Sequence, residues 1–177
     1  MQENGISPEK GLGEDLFLFT STLMPVVNVD LLVMNEKGQI LLSWRDDPHC
    51  GRGWHVPGGC IRFMETMEER IQKTAVCELG EKVIPDMESV KVIEILEKQN
   101  RDGILDQRER AHFITLAIRC RALPDYVIPE ERRQEGKAGC LRWFDELPEN
   151  LLPVQKFYRK LGETIRVLRT TDDESNL

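Results

Sequence analysis

The chain has 177 residues, of which 40% are hydrophobic and 31% charged, and its formal net charge at pH 7 is −7. This length and apolar content suit one domain with a full core, and the acidic balance excludes a general affinity for nucleic acid. Neither a membrane-spanning apolar run nor a signal peptide is evident, and five cysteines without metal-ligand spacing are typical of free thiols. The composition therefore predicts a cytoplasmic protein whose partners include neither a membrane nor a nucleic acid.

The predicted elements, taken in chain order, form one domain between two polar ends. Residues 1–13 are predicted to be flexible, residues 14–169 to form the domain, and the polar residues 170–177 to form a disordered tail. Within the domain, apolar patterns and turn residues predict a helix, a hairpin, two strands joined by a charged loop, and a closing amphipathic helix. In this order the segments are 14–23, 25–34 with 39–44, 90–98 with 111–121 around the loop 99–110, and 153–168.

One more helix is predicted from its end signals, between residues 66 and 80. Thr66 and Glu69 have the spacing of a capping box, in which each side chain satisfies a free backbone N–H at the helix start. Gly80 suits the other end, because glycine enters the left-handed conformation without a steric penalty.

The apolar face of this helix carries a carboxylate. Met67, Ile71 and Ala75 recur every four residues, and Glu78 falls on the same stripe at 100° per residue. A carboxylate on a packing face is costly unless a cation, a proton or several donors compensate it. Glu78 therefore either faces a cation or caps a loop amide, and the helix alone leaves both interpretations open.

The segment before the helix favours the cation. A strand end at Trp54–Pro57 runs into Gly58 and Gly59, and glycine lets a backbone carbonyl or amide approach a ligand closely. Magnesium needs only one or two carboxylates, because carbonyls, waters and substrate phosphates complete its shell. The Gly58 carbonyl and the Glu78 carboxylate would together supply the protein's share.

The stretch 58–80 resembles the signature of the Nudix hydrolases, which reads Gly, five residues, Glu, seven residues, then Arg-Glu-apolar-x-Glu-Glu-x-Gly. The spacing is complete here, and its positions are held by Gly59, Glu65, Lys73, Thr74, Ala75, Cys77, Glu78 and Gly80. The resemblance implies an α/β fold, a Nudix-type α/β/α sandwich with a mixed β-sheet. It also implies hydrolysis of a nucleoside diphosphate linked to another moiety, with Mg²⁺ or Mn²⁺ as the cofactor.

Three signature positions depart from the family pattern. Lys73 replaces an arginine and loses its bidentate fork. Thr74 and Cys77 replace two glutamates, and in most Nudix enzymes such helix carboxylates hold two or three cations. Only Glu78 is kept at these helix positions, which predicts one metal and a weaker activation of the attacking water.

A similarly depleted signature occurs in the GDP-mannose mannosyl hydrolase branch of the family, which attacks the anomeric carbon of the sugar rather than phosphorus. Asp30, Arg45 and His112 resemble residues of that branch and imply a nucleotide sugar such as GDP-mannose as the substrate. Two features differ: no Gln-His pair precedes Trp143, and Cys60 stands where the branch has an arginine. The sequence therefore leaves both atoms, phosphorus and the sugar carbon, as possible targets of the attacking water.

The resemblance divides the candidate residues into metal ligands, residues that orient the loop, and residues that bind the substrate. In that order they are Gly58 and Glu78, then Glu65 and Lys73, then Asp30, Arg45 and Arg62. The two arginines would neutralise phosphate charge.

The general base is open between Glu135 and His112. Glu135 follows Arg132 and Arg133, so a self-paired surface loop also explains it. His112 begins a strand that borders the cleft in this fold, and a structural histidine is the competing interpretation.

A non-catalytic interpretation competes with the enzyme. Nudix folds also serve as sensors of nucleotides or nucleotide sugars when some of their helix carboxylates are replaced, as at Thr74 and Cys77. Such sensors usually carry an output domain, for which we expect no room in this chain, so hydrolysis is the preferred prediction. The family's habits also predict a homodimer.

Overall fold

The computed structural model describes residues 13–47, 51–95 and 113–159 of the chain. Several predictions fall outside these residues: most of the flexible start, the charged loop 99–110, His112, the later part of the closing helix and the polar tail. The domain limits 14–169 therefore stay a prediction.

Within the described residues, eight strands form one sheet. They are β1 (Val26–Met34), β2 (Ile40–Asp47), β3 (Gly51–His55), β4 (Gly58–Cys60), β5 (Val83–Pro85), β6 (Lys91–Ile95), β7 (Phe113–Ala122) and β8 (Leu141–Phe144). The helices with described bounds are α1 (Glu14–Leu23) and α2 (Met67–Thr74), and α2 continues as a π-helical turn over Ala75–Leu79. Short 3₁₀ turns cover Met87–Ser89, Glu130–Arg132 and Pro153–Gln155.

Strand β1 is the centre of this mixed sheet. It pairs in parallel with β7, from Val26 opposite Phe113 to Met34 opposite Arg121. On its other side it pairs antiparallel with β2 and β4. Strand β7 also pairs antiparallel with β5 and β6, and β2 with β3 and β8. The main strand order is β3-β2-β1-β7-β5.

Alternate residues of β1 pack on opposite faces of the sheet, as the two-residue repeat of a strand requires. One face packs against α2 and its π-helical turn, in a cluster that includes Val29, Leu31, Val33, Ile71, Ala75 and Leu79. The other face packs against the C-terminal segment, in a cluster that includes Leu32, Leu42, Trp54, Leu151 and Tyr158. The expected α/β/α layering with a mixed sheet is confirmed, and the strand repeat places Asp30 on the second face.

The structure confirms most predicted elements and shifts their ends. Helix α1 has its predicted bounds, and Met34 pairs with Ile40 across a turn in which Gly38 has φ 71°. Strand β2 runs on to Asp47 because its last residues pair with β3, which ends at His55, within the predicted strand end at Trp54–Pro57. The two later strands are confirmed as β6 and β7, and the described start of the closing helix is a 3₁₀ turn followed by helix at 157–159.

The predicted apolar stripe of the second helix is wrong at its first residue. Met67 is exposed because it lies in the first turn, beside an exposed loop. Arg70 and Thr74 are instead buried with Ile71 on the packed face. The helix ends at Gly80 as predicted, with φ 95°, but its last turn is π-helical rather than α-helical.

Candidate functional site

The start of α2 is held by its capping box. The Glu69 N–H donates to Thr66 Oγ1 at 3.1 Å, and the Thr66 N–H donates to Glu69 Oε2 at 2.9 Å. Both predicted cap contacts are confirmed, and they fix the direction in which the loop from β4 enters the helix.

Glu65, in the loop before α2, is surrounded by hydrogen-bond donors. Its side chain is 6% exposed and accepts from Arg70 Nε at 2.7 Å, from Lys73 Nζ at 3.1 Å and from the Arg62 N–H at 3.0 Å. Burial acts to raise the pKa of Glu65, but the Arg62 amide, Lys73 and Arg70 outweigh it and lower the pKa to about 2. Glu65 therefore stays ionised and orients the loop, with its oxygens already engaged.

The opposite end of the helix presents Glu78. The π-helical turn is closed at Gly80, whose N–H donates to the carbonyls of Ala75 at 3.0 Å and Val76 at 3.1 Å. Single π-helical turns recur at functional sites, because the wider turn changes the direction of the side chains. Here Leu79 packs in the core while Glu78 is partly buried.

The surroundings of Glu78 do not compensate its burial. Burial raises the pKa of Glu78 to about 7, although the charges of Arg132, Arg45 and Arg70 and a backbone hydrogen bond from Gly58 oppose the rise. The loop-amide interpretation is thus correct in that Gly58 does contact this carboxylate. The pKa stays raised despite this amide, so a proton or a further cation would still stabilise the carboxylate.

A second buried carboxylate, Asp30, receives three side-chain hydrogen bonds. It is 3% exposed and accepts from Tyr158 Oη at 2.7 Å, Gln155 Nε2 at 3.2 Å and Asn28 Nδ2 at 2.9 Å. Burial raises the pKa of Asp30 to about 7; the hydrogen bonds from Tyr158 and Asn28 oppose the rise, and the charge of Glu78 adds to it. Asp30 is thus held in one position by residues from both ends of the domain.

Gly58 lies between the two carboxylates. It pairs with Asp30 across β1 and β4. A Cβ on Gly58 would come within 2.7 Å of Asp30 Oδ1 and closer still to the Val29 carbonyl oxygen. Glycine is therefore required here by close packing, and the missing side chain keeps Gly58 in contact with both carboxylates.

A cleft of about 210 Å³ opens beside these residues, and its lining includes Asp30, Arg45, His55, Gly58, Cys60 and Gln155. The sequence-predicted residues Asp30, Arg45 and Gly58 are therefore brought together. The charge of Arg45 acts on both Asp30 and Glu78, and Gly58, which lines the cleft, forms a backbone hydrogen bond with Glu78.

Other predicted residues are not gathered at the cleft. The Glu135 side chain is 84% exposed, as a surface loop predicts, but its partner is Arg142 of β8, with Nη1 at 3.5 Å, and not Arg132 or Arg133. Arg62 is exposed, and its backbone N–H supports Glu65. His112 lies outside the described residues.

Sequence reasoning missed several residues that build the site. They are Asn28, Arg70, Arg132, Gln155 and Tyr158. A signal existed for Arg70, since a polar residue beside Ile71 on the packed face of a helix needs a partner. Tyr158 and Gln155 reach Asp30 across 128 and 125 residues, and no local pattern indicates such contacts.

The residues at the end of the helix would fit a divalent cation. Among the described residues, no group of three or more His, Cys, Asp or Glu side chains is arranged to hold a metal ion. At the two replaced signature positions Cys77 is exposed, and Thr74 Oγ1 is buried without a hydrogen-bond partner in the described part of the chain. Glu78, with its incompletely compensated burial, and the Gly58 carbonyl would hold one ion, and water and phosphate oxygens would complete its shell.

Residues 24–164 match the family model of the NUDIX domain, so the chain belongs to the Nudix family. It is similar to the low-salt glycan biosynthesis protein Agl8 of Haloferax volcanii, with 37% identity over 57 residues. The match covers 32% of this chain and 36% of that protein, so it spans only about a third of the relative.

Solved structures share the fold at low identity. A possible asymmetric diadenosine tetraphosphate hydrolase from Jonesia denitrificans is 18% identical with a TM-score of 0.57, and the match covers 81% of this chain and 95% of that one. An ADP-ribose pyrophosphatase from Streptococcus suis is 21% identical with a TM-score of 0.53, and the match covers 82% of this chain and 93% of that one.

The described helices include none with the length and apolar content that a membrane-spanning helix needs.

Proposed function

We propose that this protein is a Mg²⁺- or Mn²⁺-dependent hydrolase of a nucleoside diphosphate linked to another moiety. The observation that carries the proposal is the buried carboxylate of Glu78, which contacts Gly58 beside a cleft and whose burial the surrounding arginines only partly compensate. A carboxylate in this state is suited to a cation that arrives with an anionic substrate.

The substrate class follows from the charges of the cleft. Arg45 would neutralise phosphate charge, and the bound cation would supply further neutralisation together with a more acidic water. Asp30, fixed by Tyr158 and Gln155, would accept a hydrogen bond from a hydroxyl of the attached group. A nucleotide sugar such as GDP-mannose meets these requirements, and the relative named for glycan biosynthesis supports it.

The nucleophile in this proposal is water. Of the two candidates for the base, Glu135 is exposed and paired with Arg142, so His112 is carried forward. Attack at phosphorus and attack at the sugar carbon differ in where the oxygen of water is found after the reaction.

The test is turnover of a panel of nucleotide sugars, dinucleotides and nucleoside triphosphates with Mg²⁺ and Mn²⁺ in heavy-oxygen water. Label in the phosphate would identify a pyrophosphatase, and label in the sugar would identify a glycosyl hydrolase. We expect Glu78→Gln to lower turnover of the best substrate by about two to three orders of magnitude. Failure of the wild type to turn over any member of the panel would overturn the proposed hydrolysis.

The second candidate is a non-catalytic sensor of nucleotides or nucleotide sugars. Thr74 and Cys77 favour it, because both provide no carboxylate at positions where catalytic members of the family hold cations. Saturable binding of a panel member without turnover would support the sensor and contradict the hydrolase.

We also propose the limits of the domain, its location in the cell and its assembly. The domain would extend over residues 14–169, which include the family match 24–164, and act in the cytoplasm as a homodimer. Sedimentation of the purified chain at several concentrations tests the assembly, and a single monomeric species would contradict it.

A further inference from the structure

The loop before β8 is fixed against the strand that carries Arg45. The Gly139 N–H donates to the Trp44 carbonyl at 2.8 Å, and the Trp44 N–H donates to the Cys140 carbonyl at 2.7 Å. Gly139 has φ 82°, in the left-handed region that favours glycine. The loop therefore has a defined position against Trp44, the residue before Arg45, which lines the cleft.

Arg132, at the start of this loop, contacts the π-helical turn that follows α2. Its Nη1 donates to the Gly139 carbonyl at 3.3 Å, and its Nη2 donates to the Cys77 carbonyl at 3.4 Å. A Cβ on Gly139 would lie 2.6 Å from Arg132 Nη1, so the glycine leaves the space that the guanidinium occupies. The contact with Cys77 places the guanidinium beside the residue that precedes Glu78.

Within the described residues the charge of Arg132 acts on Glu78 without forming an ion pair. None of the ion pairs within the described residues includes it, and both of its hydrogen bonds go to neutral carbonyls. A guanidinium has five N–H donors in a rigid fork that matches phosphate oxygens, and two carbonyls leave several of them for a ligand. Glu78, an acidic group on which this charge acts, belongs to the candidate site itself.

We propose that Arg132 binds the diphosphate of the substrate, supplying from the protein a positive charge at the helix end where Cys77 provides no carboxylate to recruit a second cation. This inference rests on the proposed function, because it requires a diphosphate beside Glu78. It adds a substrate-binding residue from a loop to the residues of the helix and of β2.

The test is calorimetric titration of the full chain with GDP, ADP and UDP in the presence of Mg²⁺. Arg132→Gln keeps a donor for the Cys77 carbonyl but removes the charge, and Arg132→Lys keeps the charge but loses the fork. Arg133→Gln is the matched control, since Arg133 is exposed and its Nε donates to the Ile128 carbonyl at 2.8 Å. A thermal melt of each variant monitors folding.

We expect Arg132→Gln to weaken binding of the best nucleoside diphosphate about tenfold or more, because a charge-assisted hydrogen bond is lost. Arg132→Lys should recover part of this loss, and Arg133→Gln should bind as the wild type does. Equal affinities of Arg132→Gln and Arg133→Gln, with wild-type binding intact, would overturn this inference alone. Absence of wild-type binding to all three nucleotides would also overturn the inference, whereas the proposed function is overturned only when the substrate panel shows no turnover.

Discussion

Two carboxylates of the same loop-helix unit have opposite surroundings. Glu65, before α2, is buried among two cationic side chains and a backbone N–H, and its pKa is lowered to about 2. Glu78, at the other end, is buried with weaker compensation, and its pKa is raised to about 7. A satisfied carboxylate supports the fold, whereas an unsatisfied one at a cleft is suited to a ligand. The difference separates the structural end of this unit from its candidate functional end.

The largest effect is expected for Glu78→Gln. The substitution removes the only helix carboxylate at the metal-binding signature positions, so turnover should fall by about two to three orders of magnitude. Stability in the absence of metal should hold or rise at pH 8, because an incompletely compensated buried charge is lost. Steady-state kinetics and urea denaturation measure the two effects. Wild-type turnover in this variant would contradict the role of Glu78.

Glu65→Gln should act in the opposite way. The substitution leaves the buried guanidinium of Arg70 without its counter-charge, so the free energy of unfolding should fall by about 3 kcal/mol. Urea denaturation measures it, with Glu135→Gln as a control because Glu135 is exposed. Equal stabilities of the two variants would show that the Glu65 cluster does not support the fold.

The pH dependence of stability should reflect the carboxylates at both ends of the loop-helix unit. The pKa of Glu65 is lowered, so its contribution is present above its ordinary value of 4.5 and is lost as the pH falls toward 2. The pKa values of Asp30 and Glu78 are raised from 3.8 and 4.5 to about 7, so the folded state holds extra protons in that window. The free energy of unfolding should therefore fall as the pH rises from about 4 to about 7, by up to about 1.4 kcal/mol for each unit of pKa difference.

Urea denaturation at a series of pH values, without divalent metal, measures this slope. The double variant Asp30→Asn with Glu78→Gln should flatten it between pH 4 and 7, while the loss of stability below pH 4 persists. An unchanged slope in the double variant would mean that other groups titrate in this window.

The smallest effect is expected for Lys73→Ala. Lys73 also pairs with Glu65, but its side chain is 61% exposed, so the loss of stability should stay below about 1 kcal/mol. Arg70→Ala, at a side chain that is 11% exposed, should cost several times more. A larger loss for Lys73→Ala than for Arg70→Ala would reverse the assignment of the main partner of Glu65.

Local signals explain why so much of the loop-helix unit was predictable. The capping box, the closing Gly80 and the spacing from Gly59 to Glu78 are short-range properties of consecutive residues. Glu65 and Lys73, both predicted to orient the loop, form an ion pair. The central hairpin followed from apolar periodicity and turn residues, and the layer order followed from the resemblance to the Nudix signature.

The missed features have long-range or backbone causes. The π-helical turn leaves no mark in a 3.6-residue pattern, and Met67 is exposed although its spacing fits the apolar stripe. Arg132 reaches Cys77 across 55 residues, and Tyr158 reaches Asp30 across 128. Contacts of this kind arise only when the sheet is assembled, so a single sequence without its fold does not indicate them.

The parallel pairing of β1 with β7 has a consequence for the synthesis of the protein. The Asn28 side chain accepts a hydrogen bond from Thr115, which lies 87 residues later in the chain. Asp30 accepts one from Tyr158, which is synthesised later still. Of the strands in the described residues, β1 comes earliest in the chain and lies at the centre of the sheet, so it is synthesised long before its parallel neighbour β7. Pairing between strands that are far apart in the sequence slows folding. A nascent chain stalled before residue 113 should therefore expose the apolar residues of β1 to chaperones.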